Sequence, residues 1–160
     1  MVFNEKKNRE IFIQKASRPF TITEVDITEV DIDNIIRAKA AIFAGFTLLL
    51  KEVGLSFDDI ATIYIAGGFG RYLNIQKAVI IGMLPDLSKK KFKYLGNTAV
   101  TGAYLCLLSE QLRQDAETIA DKMTYVELSV SGHYMDEYVA GLFLPHTDLT
   151  AFPSVAPFLS

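Results

Sequence analysis

Cysteine is almost absent from this chain of 160 residues, and Cys106 is its single example. One cysteine excludes an internal disulfide. It also excludes an iron–sulfur cluster held by this chain alone, because such clusters normally need four cysteine ligands. The two histidines, His133 and His146, have no cysteine cluster or HExxH pattern beside them. Surface or hydrogen-bonded histidines are therefore expected, and we assign no metal ligand.

A strong excess of charge of one sign is also missing. Lysine and arginine number 16 against 19 acidic residues, for a net charge of −3. Without a long basic run, the electrostatic signature of a nucleic-acid-binding protein is absent. No apolar run reaches the roughly 18 residues that a membrane span needs, and the N-terminus lacks the apolar segment of a secretory signal. We therefore expect a cytoplasmic protein with neither nucleic acid nor membrane as a partner.

Two common phosphate-binding motifs are missing as well. Residues 67–70 read Gly-Gly-Phe-Gly, but no Lys-Ser/Thr pair follows as in a P-loop. Leu73 stands where a GxGxxG motif would have its third glycine. No acidic ribose ligand follows either, so an independent dinucleotide-binding enzyme is the weakest of the functional hypotheses.

The stretch from Ile60 to Gly82 nevertheless organises the chain. A β-branched apolar run from Ile60 to Ala66 predicts a strand buried on both faces. Three glycines then fall within four residues, and apolar residues recur at helical spacing from Ile75 to Met83. A glycine turn between strand and helix lets backbone approach a nucleotide, because glycine accepts positive φ and has no Cβ. A tight turn with a purely structural role fits the same pattern.

A long helix is predicted from Glu29 to Val53, ending at Gly54. Thr28 is its expected N-cap, and Asp31 three residues later reaches back to the Thr28 backbone. For the acidic residues Glu29, Asp31 and Asp33, a role in capping the helix is favoured over a metal site. Small residues at 38–45 predict the close approach of another backbone. Lys39 lies among them, either as a solvated lysine or as a ligand contact.

The remaining pattern alternates strands with helices, which predicts an α/β domain with a largely parallel sheet. We expect one domain over residues 1–160, with a tail at 144–160 that packs along its surface. Cys106 is expected to be a core thiol. The other predicted elements are strands at Ile11–Lys15, Phe20–Thr23, Phe92–Leu95 and Thr124–Leu128, and helices from Thr98, at Glu110–Lys122 and at Gly132–Phe143.

Longer blocks carry a resemblance that the glycine turn alone does not. They include IDNIIRAKAAIFAG at 32–45, IYIAGGFGRYLNIQKAVIIGMLPD at 63–86 and GNTAVTGAYLCLLS at 96–109. LFLPHTDLTAFPSV at 142–155 extends the match. The chain resembles the C-terminal portion of the ATP-dependent reductive activators of corrinoid proteins, in the acetate and sugar kinase, heat-shock chaperone and actin superfamily. The resemblance implies a single actin-like (ribonuclease-H-like) lobe with a mixed, largely parallel sheet flanked by helices.

In that superfamily ATP lies between two such lobes. The resemblance implies that ATP is contacted by an adenosine motif made of Gly67, Gly68, Phe69 and Gly70. It also implies a second connecting motif near the ribose, at Gly96 and Asn97, and a contact from Lys39 on the long helix facing the adenine. In the family, ATP hydrolysis is linked to delivery of an electron from an iron–sulfur domain to a cobalt(II) corrinoid.

The phosphate hairpins of the family are missing here, and no Asp-x-Gly occurs in the chain. Phosphoryl transfer depends on positioning and charge neutralisation, so we expect the chain alone to be inactive and assign no catalytic residue. ATP with Mg²⁺ and the iron–sulfur cluster are expected in the parent protein. The expected partners are the missing N-terminal lobe, the iron–sulfur domain and a corrinoid protein.

A second hypothesis is a non-catalytic module that docks a corrinoid protein or another metalloprotein, with a vestigial nucleotide motif. Phe69, Tyr72 and Leu73 are large apolar residues in or just after the glycine turn. Exposed together, they would form an apolar patch of the kind that marks an interface, including that of a homodimer. Burial of all three in one monomer would count against this hypothesis.

Overall fold

The structure is a computed structural model that describes residues 2–3, 11–13, 25–68, 70–128 and 132–158. Its strands are β1 Val2–Phe3, β2 Ile11–Ile13, β3 Val25–Ile27, β4 Ile63–Ala66 and β5 Phe92–Gly96. Its helices are α1 Glu29–Glu52, α2 Ile75–Ile80, α3 Thr98–Leu108, α4 Glu110–Lys122 and α5 Tyr134–Ala140. Among the described helices, none is both long enough and apolar enough to cross a bilayer.

The strands form two small sheets. β1, β2 and β3 pair antiparallel, with β2 in the middle. β4 and β5 pair in parallel, with Ile63 opposite Phe92 and an irregularity between Ile65 and Ala66. Helices follow both parallel strands, as the predicted α/β class requires.

Helix α1 begins at the predicted cap. The Asp31 backbone N–H donates to the Thr28 hydroxyl at 3.3 Å, and the Thr28 backbone N–H donates to the Asp31 carboxylate at 2.9 Å. These bonds from Thr28 lower the pKa of Asp31 below its usual range. The helix ends at Glu52, with Val53 as its C-cap and Gly54 at φ +67°. The predicted capping box and helix are therefore confirmed.

The core lies where α1 meets the parallel strands and the C-terminal residues. Phe43 of α1 is buried, and its ring centroid lies 5.7 Å from that of Phe57 and 5.2 Å from that of Phe152. Phe152 and Val155 are almost fully buried, although they lie beyond the last helix. The cluster joins α1, α2, β4 and β5, and its other buried members are Ile63, Ile75, Ala78, Val79, Leu84 and Phe92.

The predicted burial of β4 on both faces is wrong. Ile63 and Ile65 point toward the core that α1 and α2 build. Strand alternation turns the next residue to the opposite face, and Tyr64 is 59% exposed there. The apolar run in the sequence therefore indicated the strand but not which of its faces is covered.

Three other predictions differ from the structure. Residues 124–127 form no strand, because they lie beside no pairing partner in the described chain. Helix α5 is shorter than predicted, at Tyr134–Ala140. Cys106 is half-buried between α3 and α4 rather than a core thiol, because α3 contributes no buried residue. The predicted strand at Phe20–Thr23 lies outside the described residues.

Candidate functional site

Two glycine turns lie side by side at the carboxyl edge of the parallel strands. The backbone N–H of Gly67 donates to the carbonyl oxygen of Gly96 at 2.8 Å. Gly67 has φ +92° and Gly96 has φ +72°, values in the left-handed region that other residues rarely adopt. The two turns that the sequence singled out independently therefore form one continuous backbone surface.

Glycine is required by the fold at position 70 of the first turn but not at position 68. A Cβ on Gly70 would lie 2.8 Å from Cγ2 of Ile65, so that glycine is required by packing against β4. Gly68 is exposed, its φ lies outside the positive region, and no described heavy atom lies within 4 Å of its Cβ position. Neither packing nor backbone conformation requires a glycine at 68. The space above it is open to a ligand.

Helix α3 begins directly after the second turn. The Asn97 side chain accepts a hydrogen bond from the Val100 N–H at 3.3 Å and thereby caps the helix. A helix N-terminus presents free N–H groups and the positive end of the dipole, which favour an anion. Residues 98–100 are exposed, so this end of α3 is accessible beside the glycine turns. Asn97 itself has a capping role that the sequence did not indicate.

The first turn is held at its far end by a residue that the sequence reasoning missed. The Tyr94 hydroxyl donates to the carbonyl oxygen of Leu73, just beyond the turn. Asn74 then caps α2 by accepting from the Lys77 N–H at 3.1 Å. Tyr94 carries no motif signal. Its place two residues before Gly96, on the strand that neighbours β4, is the only clue in the sequence.

Lys39 is fully buried, so the prediction of a solvated lysine is wrong. Its ammonium donates to the carbonyl oxygens of Phe143 and Pro145, the latter at 2.7 Å. Burial lowers the pKa of Lys39 from 10.5 to about 8. Small residues around it admit the chain after α5, since a Cβ on Gly141 would lie 3.1 Å from the Ala40 Cα. The predicted close backbone approach is therefore confirmed. The adenine contact that the resemblance implies for Lys39 stays a prediction.

The histidines are not brought together. His146 is buried, its ring lies 5.3 Å from that of Phe43, and its Nδ1 accepts from the Asp148 N–H at 3.0 Å. Burial lowers the pKa of His146. His133 is exposed at the start of α5. Within the described residues, no three His, Cys, Asp or Glu side chains form a group that could hold a metal ion.

A cavity of about 640 Å³ lies away from both turns. It separates α2 from the loop at 85–89 and from the chain near Ser154 and Phe158, and its lining is mostly apolar. No residue of either glycine turn lines it.

Phe69 lies outside the described residues, Tyr72 is 84% exposed, and Leu73 packs partly against the core. The predicted apolar patch therefore rests, in the described chain, mainly on Tyr72.

Comparison with known proteins defines the class. A family profile described as the C-terminal domain of RACo, the ASKHA domain, matches residues 1–156. The chain therefore belongs to the family of RACo C-terminal ASKHA domains. The predicted family and the predicted actin-like fold class are both confirmed.

Particular relatives are named as activators or reductases of corrinoid proteins. The corrinoid activation enzyme RamQ of Eubacterium limosum is 34% identical over 116 residues, which cover 72% of this chain and 20% of that protein. The Co(II) methylated amine-specific corrinoid protein reductase of Methanosarcina barkeri is 31% identical over 100 residues, covering 62% and 18%. A solved reductive activator for corrinoid, iron-sulfur protein matches with TM-score 0.79 and 53% identity, covering 83% of this chain and 21% of that one. The chain thus spans about one fifth of the length of these relatives.

Proposed function

We propose that this chain is the C-terminal lobe of an ATP-dependent reductive activator of a corrinoid protein, and that it supplies the adenosine side of the nucleotide site. The observation that carries the proposal is the pair of joined glycine turns, Gly67–Gly68 and Gly96–Asn97, at the carboxyl edge of β4 and β5. Ligands of open α/β sheets bind outside the carboxyl ends of parallel strands. The family membership supports the same location.

The residues present fit a nucleoside with its first phosphate. The open position at Gly68 would let the backbone approach the sugar and the α-phosphate closely. The exposed N–H groups at the start of α3 would stabilise negative charge. Gly67 and Gly96 would hold the two backbones in the conformation that creates this surface. When bound, ATP would supply the free energy of phosphoanhydride hydrolysis that drives the activation.

The γ-phosphate and Mg²⁺ would be held by other parts of the parent protein. An Asp-x-Gly hairpin is absent from this sequence, and the described residues hold no group of three or more His, Cys, Asp or Glu side chains that could bind a metal ion. Mg²⁺ at phosphate sites usually needs one or two carboxylates in addition to the phosphates. The chain alone would then bind nucleotide weakly and hydrolyse none. Its partners would be the missing N-terminal lobe, an iron–sulfur domain and the corrinoid protein.

Titration by two-dimensional NMR tests the proposal, because it detects weak binding. Addition of Mg-ATP or Mg-ADP should move the amide signals of Gly67, Gly68 and Gly96 in a saturable way. Gly68→Val should abolish these shifts, since its methyl groups would fill the open space, while the φ at 68 allows any residue. Ala61→Val, at an exposed position before β4, is the matched control and should bind as the unaltered chain does. Saturable shifts that persist in Gly68→Val would overturn the proposal.

A docking module is the second candidate, and helix α3 favours it. None of its eleven residues is charged, and none is buried in the structure. Helices that are apolar all round are normally covered, yet Val100, Tyr104 and Leu107 are between 60% and 85% exposed. The covering partner would be a corrinoid protein, the missing lobe or a second copy of this chain. Sedimentation at increasing concentration tests whether a second copy of this chain is the partner. Leu107→Glu should abolish any homodimer that forms.

A further inference from the structure

We propose that Tyr94 is a positioning residue for the nucleotide, and that its hydroxyl fixes the backbone at Leu73, just beyond the glycine turn at 67–70. This inference rests on the proposed function, because it assigns a role within that same site. Tyr94 would touch the turn's backbone and not the ligand. Its contribution would be to keep the turn in the conformation that the ligand needs.

Strand β5 contacts the turn at both ends. At the entrance, the Gly67 N–H donates to the Gly96 carbonyl at 2.8 Å. At the exit, the Tyr94 hydroxyl donates to the Leu73 carbonyl. Tyr94 and Gly96 are two residues apart on one strand, so a single element fixes the chain both at Gly67, where the turn begins, and at Leu73, just beyond it.

Besides the Tyr94 bond, the exit is held by the partial packing of Leu73 against the core and by a short hydrogen-bonded turn. Residues 70–72 form one short 3-10 turn, closed by a Leu73 N–H to Gly70 carbonyl bond at 3.2 Å. Gly68, near the middle, has no described heavy atom within 4 Å of its Cβ position. Gly68 and Tyr72 are exposed, and exposed backbone with few buried contacts opens locally at a smaller cost in free energy than the core does. The Tyr94 bond therefore adds a polar restraint at the end of this exposed stretch.

The fold itself does not need this hydroxyl. Leu73 packs partly against the core, and Gly70 fits closely against Ile65. Both contacts survive when tyrosine is replaced by phenylalanine, which keeps the ring. Tyr94 is about half exposed, so water can satisfy the freed Leu73 carbonyl. Loss of one such bond should weaken nucleotide binding by about three- to tenfold.

The test compares Tyr94→Phe with Tyr64→Phe. Tyr64 lies on the neighbouring strand β4 with its side chain on the opposite face, and it is 59% exposed. Two quantities are measured on each variant: amide hydrogen exchange of residues 70–73 without nucleotide, and the dissociation constant of Mg-ADP by NMR titration. The first readout does not depend on nucleotide binding, and global unfolding by urea provides the comparison for stability.

Tyr94→Phe should accelerate exchange at 70–73 several-fold and weaken Mg-ADP binding, with exchange in α1 unchanged. Tyr64→Phe should change neither quantity. Unchanged exchange at 70–73 in Tyr94→Phe would overturn the inference, whatever the nucleotide result. Faster exchange with an unaltered dissociation constant would also overturn it, because the bond would then be merely structural. If the unaltered chain shows no saturable Mg-ADP binding, the proposed function fails and the role of Tyr94 toward nucleotide fails with it.

Discussion

Replacement of Lys39 by methionine should reveal a buried ammonium through the pH dependence of stability. Methionine has a similar length but no charge and no donor. In the native chain, the ammonium donates to the Phe143 and Pro145 carbonyls and is fully buried. The Lys39→Met variant leaves both carbonyls without this donor, at about 1–3 kcal/mol for a buried group. Relief of the buried charge offsets part of that loss, so we expect a net destabilisation of about 1–3 kcal/mol at pH 7.

The sign of the pH effect follows from the lowered pKa. The folded-state pKa of Lys39 is about 8, against 10.5 for an ordinary lysine. Between these pH values the unfolded chain binds more protons than the folded chain, so stability rises with pH. The stability that this lowered pKa contributes is fully present above pH 10.5 and is lost as pH falls through 8. At 1.36 kcal/mol per pKa unit, the rise amounts to on the order of 3 kcal/mol.

Urea unfolding at pH 7, 8.5 and 10 measures this effect. The stability difference between the native chain and Lys39→Met should widen as pH rises, because only the native chain has the titrating amine. Lys90→Met removes a lysine at an exposed position and is the control for the loss of one lysine charge. A constant difference for Lys39→Met would refute the reasoning, since it would mean that the folded amine titrates like a solvated lysine.

Two further substitutions test local packing and capping. Gly82→Ala should destabilise the chain by about 3 kcal/mol or more, because the φ of Gly82 is +75° and the added Cβ would lie 2.0 Å from the Pro145 carbonyl oxygen. Thermal unfolding measures this loss, and Gly132→Ala is the control, because no described heavy atom lies within 4 Å of the Cβ position at Gly132. Thr28→Ala should remove the N-cap of α1 and lower the melting temperature by about 3 °C, and an unchanged melting temperature would mean that the cap contributes nothing.

Features set by neighbouring residues were predictable from the sequence. The capping box at Thr28 and Asp31 depends on residues three apart, and the structure has both of its hydrogen bonds. The ends of β4 and β5 followed from glycines at 67 and 96, whose positive φ terminates each strand. Such local patterns identified both halves of the candidate site, and the block resemblance identified the family.

Features set by distant residues were not predictable. Lys39 is buried because carbonyl groups more than 100 positions away accept its hydrogen bonds. Tyr94 joins a turn 21 positions earlier through one hydroxyl, with no accompanying motif. The residues at 124–127 have strand-like composition, yet a strand forms only where a neighbouring strand pairs with it. In each case the deciding partner is fixed by the tertiary fold.

The central claim is that adenosine binds at the joined glycine turns, and photolabelling tests it most directly. The chain is irradiated with 8-azido-ATP and Mg²⁺, with and without excess ATP, and the labelled peptides are mapped by mass spectrometry. We predict ATP-protected label in the peptides that contain Gly67–Gly70 and Gly96–Asn97. Protected label confined to the cavity between α2 and residues 85–89, with none on either turn, would contradict the account.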